Sequence, residues 1–287
     1  HYTSVPNILK LIKPLFLDEL YEEFEKSKES VKKLRELMIR LSKIKFFDPA
    51  CGSGNFLIIT YKEIRLLEIE ILKQIIELEQ SHLWIDSVIS LEQFYGIEID
   101  DFAHEVAILS LWLAEHQMNQ YFEEQLEGFT DHKSIIPLKK SGTIIQGNAI
   151  RVDWQNVCPI LKKDEVYIIG NPPYLGSRNQ EASHKEDMSF IFKGIRSYKI
   201  LDYITCWFYK GCLFIKDKNA KCAFVSTNSI CQGEQVSVFW SNIFKKDIEI
   251  SYAYQSFKWT NNAKGNAGVT VVIIGLSSKK ELHKYIF

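Results

Sequence analysis

The chain predicts an α/β fold, a mostly parallel sheet with helices on both faces. Short apolar runs alternate with longer segments of helical period, the pattern that strand–helix–strand units leave in a sequence. With 287 residues the chain is long enough for one large α/β domain with a full core. Its 46% hydrophobic and 25% charged residues are ordinary for a globular protein.

Residues 4–42 read as helical, interrupted at Pro14. Within them "YEEFEKSKESVKKLRELMIRL" (21–41) has apolar spacing near 3.6 and a dense charged face, a solvated surface helix pair. "IKFFDPA" (44–50) is a buried strand ending in a turn, and Asn55 to about Gln80 is a long amphipathic helix. "EQFYGIEI" (92–99) is the second strand, and Asp100 or Asp101 caps the helix 102–122. "TIIQGN" (143–148) and "EVYIIG" (165–170) are strands three and four. A helix rich in aromatics follows over 200–216. "AKCAFVST" (220–227) is the fifth strand, 236–244 is helical, and 248–257 and 267–276 supply strands six and seven. Residues 176–199 are the most polar stretch and read as a mobile loop. The expected organisation is a helical segment over 1–43 and a catalytic domain over 44–287.

No run of 18 or more apolar residues predicts a membrane span, and no signal peptide is visible. The chain opens on His1 instead of Met, which reads as a fragment of a longer protein. Six cysteines at 51, 158, 206, 212, 222 and 231 form no C-x-x-C pair. They fit reduced thiols in a cytoplasmic protein better than a disulfide framework or zinc site. The net charge of −1 hides a split: residues 1–150 carry 16 Lys/Arg against 24 Asp/Glu, and residues 151–287 carry 19 against 12. Such asymmetry fits a face that meets a polyanion, and fits exposed helices equally well.

Four stretches carry chemistry. "FFDPACGSGNFL" (46–57) joins a strand to a helix, and Gly52 and Gly54 let the backbone approach a ligand closely. The third glycine of a dinucleotide fingerprint is replaced by Leu57, and no Walker lysine is present. "YGIEID" (95–100) ends a strand on Glu98, an acceptor suited to two ribose hydroxyls; alone it reads as well as a surface Glu. In "IIQGNAI" (144–150), Asn148 suits an adenine edge and Ile150 its ring, while Gly-Asn is also an ordinary turn.

"GNPPY" (170–174) is the sharpest signal. Pro cannot continue a buried strand, so the apolar run stops abruptly with an amide side chain at its tip. The lone pair of a nucleobase exocyclic amine is delocalised into the ring. Two acceptors taking its hydrogens, Asn171 Oδ1 and the Pro172 carbonyl, favour a pyramidal, nucleophilic nitrogen. Pro172 and Pro173 fix the geometry and Tyr174 offers a ring for stacking.

Taken together, these motifs resemble the S-adenosylmethionine-dependent amino-methyltransferases of DNA, of the γ motif order, and among them the MmeI-like group of single-chain restriction–modification enzymes. The resemblance covers essentially the whole chain, from "HYTSVPNILKLIKPLFLDEL" (1–20) through "LDYITCWFYKG" and "FVSTNSICQGEQV" to "FKWTNNAKGNAGVTVVIIGL" (257–276). It implies a class I methyltransferase: a seven-stranded mixed, Rossmann-like sheet with the final strand antiparallel. The implied cofactor, S-adenosylmethionine, is covered by Tyr2 and Thr3. It is further held by Asp48, Ala50, Cys51, Gly52, Gly54, Asn55, Phe56, Glu98, Ile99, Asn148 and Ala149. Cys51 reads as a small filler there, not a nucleophile. Asn148 stands where many relatives carry Asp.

The implied catalytic residues are Asn171, Pro172, Pro173 and Tyr174, with Tyr174 and either Phe257 or Trp259 stacking on a flipped base. The implied reaction is methylation of adenine N6 in double-stranded DNA, as the modification part of a restriction–modification system, with no metal. Methylation of cytosine N4 or of a protein glutamine, and a non-catalytic cofactor-sensing module, are the alternatives. Nuclease and target-recognition domains are expected on the full-length protein, outside these residues.

Overall fold

The computed structural model describes residues 3–79, 85–129, 142–161, 163–259, 269–278 and 283–287. Three helices precede the first strand: α1 (Val5–Ile12), α2 (Asp18–Ser27) and α3 (Val31–Leu41). Pro14 was expected to interrupt the helical path. Instead Lys13–Leu17 form one π-helical turn that carries α1 into α2, a wider turn that tolerates the missing N–H of proline. Nor is the α2–α3 pair merely a solvated surface: Leu20, Phe24, Leu34, Leu37 and Leu41 are buried, while the charged residues keep to the other face.

The alternation then runs β1 (Lys45–Asp48), α4 (Asn55–Glu79), β2 (Phe94–Glu98), α5 (Asp101–Gln125), β3 (Thr143–Gln146), α6 (Trp154–Val157) and β4 (Val166–Gly170). It continues with α7 (Ala182–Ile191), α8 (Thr205–Ile215), β5 (Ala220–Thr227), α9 (Gly233–Phe244), β6 (Glu249–Trp259), β7 (Val269–Ser277) and β8 (Tyr285–Ile286). Asp100 caps α5, its carboxylate accepting from the Ala103 N–H at 2.8 Å.

Among the described residues one sheet holds all the strands, in the order β3-β2-β1-β4-β5-β7-β6-β8. β1 to β5 pair in parallel, and β7 is antiparallel to both β5 and β6. This is the class I methyltransferase sheet expected from the sequence. It has one addition: a two-residue eighth strand parallel to the outer edge of β6.

Neighbouring residues of each strand face opposite layers. Phe46, Tyr167 and Ile169 pack with α1–α5, whereas Phe47, Val166 and Ile168 pack with α6–α9. Burial on both faces is why these strands read as unbroken apolar runs.

The stretch 176–199 is corrected most. It is not a loop: a short 3-10 turn, Ser177–Asn179, leads into α7. Met188 and Phe192, four apart, are buried, as is Asp187. Apart from buried Gln180, most of the remaining polar side chains cover the solvent face, which hid the helical period.

Candidate active site

Strand order reverses between β1 and β4, and the loops leaving their C-terminal ends diverge there, the usual ligand crevice of such sheets. Register brings the key tips level: Asp48 lies beside Gly96, and Glu98 beside Gln146.

The loop after β1 folds back onto the end of β2. The Cys51 N–H donates to the Ile97 carbonyl at 3.0 Å, and the Gly52 N–H donates to Glu98 Oε2 at 2.8 Å. Gly52 and Gly54 take left-handed backbone, φ 55° and 85°, a conformation that favours glycine. Ala50 packs against the α6–α9 layer, Asn55 opens α4, and Phe56 is buried. Cys51 is buried too, and that burial, with the Asp48 and Glu98 charges, pushes its thiol well above the ordinary value. It is an un-ionised filler.

The other Glu98 oxygen, Oε1, accepts from the Ile99 and Asp100 N–H groups, each at 2.9 Å. Ile99 itself is exposed, an apolar side chain left at the ligand end of the sheet. Asp48 is wholly buried, with Oδ1 accepting from the Ala50 N–H at 3.0 Å. Desolvation, reinforced by the Glu98 charge, pushes its carboxyl up to about 8 against the opposing Ala50 bond.

After β3, Asn148 is doubly engaged: Oδ1 accepts from the Ile150 N–H at 2.8 Å, and Nδ2 donates to Asp187 Oδ2 at 2.9 Å. Asp187 also accepts from Tyr203 Oη at 2.7 Å and Arg151 Nε at 2.5 Å. These bonds hold it below the usual carboxylate range despite burial. A carboxylate therefore does stand at this turn, supplied by α7. Ala149 is buried, and its carbonyl accepts from Trp154 Nε1 at 2.8 Å.

At the tip of β4, Asn171 Oδ1 is buried and accepts no hydrogen bond among the described residues. An unsatisfied buried acceptor is costly and calls for a ligand. Pro172 is buried and Pro173 exposed. Tyr174 packs against the α6–α9 layer. The next residue, Leu175, is pinned at both ends: its N–H donates to Asp202 Oδ1 at 2.8 Å, and its carbonyl accepts from the Tyr203 N–H at 3.0 Å. Gln180 Nε2 adds a third bond, to that same carbonyl, at 3.1 Å.

Thr3 is buried just before α1. Phe257 packs against the α1–α5 layer, opposite to that of Tyr174, with Lys10 Nζ 4.2 Å from its ring centroid. Tyr2, the side chain of Trp259 and the stretch 260–268 lie outside the described residues. Asp101, His104 and Glu105 bring ligand-type atoms within 4.8 Å of one another at the start of α5, with both carboxylates exposed.

Sequence reasoning missed the residues that brace the site: Asp187, Asp202, Tyr203, Trp207 and Lys210. Trp207 Nε1 donates to the Pro49 carbonyl at 3.1 Å. One segment, 202–210, therefore bonds to the loop after β1, the turn after β3 and the tip of β4. The "LDYITCWFYKG" motif contains that segment, but nothing local signals its distant partners.

Sheet order and the crevice at its switch point together define a class I methyltransferase domain. The family model described as MmeI, DNA-methyltransferase domain, matches residues 24–287, and the chain belongs to that family. DNA methyltransferase A of Bacillus subtilis (strain 168) is 55% identical over 288 aligned positions, which cover 100% of this chain and 32% of that protein. A solved structure of the Type IIL restriction-modification enzyme MmeI in complex with DNA superposes with a TM-score of 0.92 at 45% identity, over 100% of this chain and 38% of that one. A DrdV–DNA complex shares the fold, with 16% identity, a TM-score of 0.54, and coverage of 100% of this chain and 27% of that one. The chain thus spans about a third of the length of the relatives it matches. Among the described residues no helix is long and apolar enough to cross a membrane.

Proposed function

We propose that this chain methylates the exocyclic N6 amine of adenine in double-stranded DNA, with S-adenosylmethionine as donor, as the modification part of a restriction–modification protein working in the cytoplasm. The observation that carries it is the buried, unpartnered Oδ1 of Asn171 at the tip of β4. It is an acceptor held ready for an N–H that none of the described residues supplies.

The crevice suits the cofactor. Gly52 leaves open space beside the loop after β1, Glu98 offers carboxylate acceptors for ribose hydroxyls, and exposed Ile99 offers an apolar edge. When bound, S-adenosylmethionine supplies an electrophilic methyl group on a sulfonium. The protein's own part is to bind and orient. Asn171 Oδ1 and the Pro172 carbonyl accept hydrogen bonds from the two amine hydrogens, which turns the nitrogen lone pair toward the methyl donor; as the N–C bond forms, the methyl–sulfur bond would break and its electron pair would stay on sulfur as a neutral thioether. The surplus proton leaves through these acceptors to solvent. Leu175, fixed by Asp202, Tyr203 and Gln180, keeps the loop from yielding.

Unstacking the target base costs on the order of a few kcal/mol, and stacking on Tyr174 offsets roughly 1–3 kcal/mol of this. We assign residues 1–43 to the segment that covers the cofactor and 44–287 to catalysis. Target recognition, and nuclease activity if the protein has one, are assigned to regions outside this chain.

Incubation of the full-length protein with labelled S-adenosylmethionine and DNA, followed by nucleoside analysis, tests the proposal. Label in N6-methyladenine is expected; label in N4-methylcytosine or in protein would replace the substrate. Asn171→Ala is expected to abolish transfer while cofactor affinity stays close to the parent's.

A further inference from the structure

The turn after β3 is gathered by a single ammonium group. Lys210, on the second turn of α8, points Nζ at three main-chain carbonyls: Ala149 at 2.7 Å, Ile150 at 3.0 Å and Val152 at 2.5 Å. An ammonium has three N–H donors, and here each has an acceptor. The sequence separation of about sixty residues between the donor and its acceptors makes this a tertiary clamp, not a local turn.

We infer that Lys210 is a positioning residue for the cofactor: by holding three carbonyls of residues 149–152 it sets the shape of the surface on which the adenosyl group lies. The inference rests on the proposed binding of S-adenosylmethionine and on the contact with it that the family resemblance implies for Asn148 and Ala149. Without the ammonium, three carbonyls converge on one point with no donor between them. Trp154 Nε1 supports only the first of them, so the carbonyls of Ile150 and Val152 lose their donor and the turn is left to the bonds that Asn148 makes with the N–H groups of Ile150, Arg151 and Val152.

The same geometry makes the clamp sensitive to alkali. Burial lowers the Lys210 pKa to about 8, against the opposing pull of Asp153 at the start of α6, Cys206 one turn earlier on α8, and Asp187 on α7. Asp187 is already paired with Arg151, and burial keeps Cys206 a neutral thiol. A neutral amine has two N–H groups for three carbonyls, so the clamp weakens as the pH rises through this value.

The test uses the full-length protein and 5′-methylthioadenosine, which carries the adenosyl group but neither ammonium nor carboxylate. Calorimetry is run from about pH 6.5 to about pH 9.5, a range spanning the Lys210 transition. Affinity is expected to fall about tenfold through pH 8. The fall is expected to persist in Asp48→Asn, which removes the other site group that titrates in this range. Lys210→Met is expected to bind about tenfold more weakly at neutral pH and to show no alkaline fall. A flat profile in Asp48→Asn overturns the inference even if Lys210→Met fails to fold. Glu98→Ala separates this inference from the site proposal. If Glu98→Ala weakens binding and the Lys210 variant does not, Lys210 has no positioning role. If neither does, the adenosyl site itself is misassigned and the inference falls with it.

Discussion

Asp48 and Gly170 touch: a β-carbon on Gly170 would stand 2.6 Å from Asp48 Oδ1. The acid that closes β1 therefore sits against the strand end that delivers Asn171, and only a residue without a side chain leaves room for it. Gly170→Ala is expected to cost about 1–3 kcal/mol through this overpacking. In an Asp48→Ala background the loss should shrink, because the obstructing atoms are gone. Urea unfolding of the four proteins of the cycle measures the coupling, and equal losses in both backgrounds would mean the contact is not the cause.

Asp48 also gives stability a pH dependence of defined sign. Its folded pKa, about 8, lies above the ordinary carboxylate value, so the folded state holds this proton more tightly than the unfolded chain. That contribution is complete below the ordinary carboxylate range and is lost as pH rises toward 8. Asp48→Asn, uncharged at every pH, is expected to gain melting temperature relative to the parent as pH rises from about 5 to about 8. A constant difference across this window would show that the carboxyl is ionised throughout.

S-Adenosylmethionine carries positive charge, and a cation near Asp48 favours its ionised form. Cofactor binding at neutral pH is therefore expected to release up to about one proton. Calorimetry in buffers of different ionisation enthalpy counts it, and the release should be absent from Asp48→Asn.

Glu98 binds within the protein as well as to the proposed ribose, since it accepts from Gly52, Ile99 and Asp100. Glu98→Ala is expected to weaken cofactor binding by roughly 1.5–3 kcal/mol. Much of that loss should come from a slackened glycine loop, so Glu98→Gln, which keeps one acceptor oxygen, should recover part of it. Unchanged affinity in a folded Glu98→Ala protein would remove this residue from the site.

For the flipped base, Tyr174→Ala is expected to abolish the brightening of 2-aminopurine at the target position when DNA binds the full-length protein. Phe257 lies beneath the Lys10 ammonium, and Trp259 stands two residues further along the same strand. A base already resting on Tyr174 has one ring face left to cover, so only one of Phe257→Ala and Trp259→Ala should alter the signal. An effect of both, or of neither, would reject a single stacking partner from this strand.

Much of the framework was legible because its signals are local. The apolar runs at 45–48 and 166–170, the paired glycines at 52 and 54, and the abrupt Asn-Pro-Pro-Tyr stop each announce themselves within a dozen residues. What stayed hidden depends on distance or on turn geometry. A π-helical turn around Pro14 is not written in any period. α7 buries only Asp187 and Met188 of its own residues, with Phe192 at its C-cap. Lys210 and Tyr203 read as ordinary members of an aromatic helix, since their carbonyl and carboxylate partners lie sixty and sixteen residues away.

The position of β7 constrains the order in which the molecule is assembled. β6 is made before β7, yet β7 is the strand that borders β5, and among the described residues β6 pairs only with β7 and β8. A growing chain that has reached residue 259 therefore has a long strand with no place in the sheet. β6 must wait for β7 and then join as half of an antiparallel hairpin, a pairing whose contacts are close in sequence and quick to form. β1 to β5 depend on no later strand. Pulse-labelled hydrogen exchange during refolding should accordingly protect the amides of β6 and β7 together, and show no interval in which β6 alone is protected.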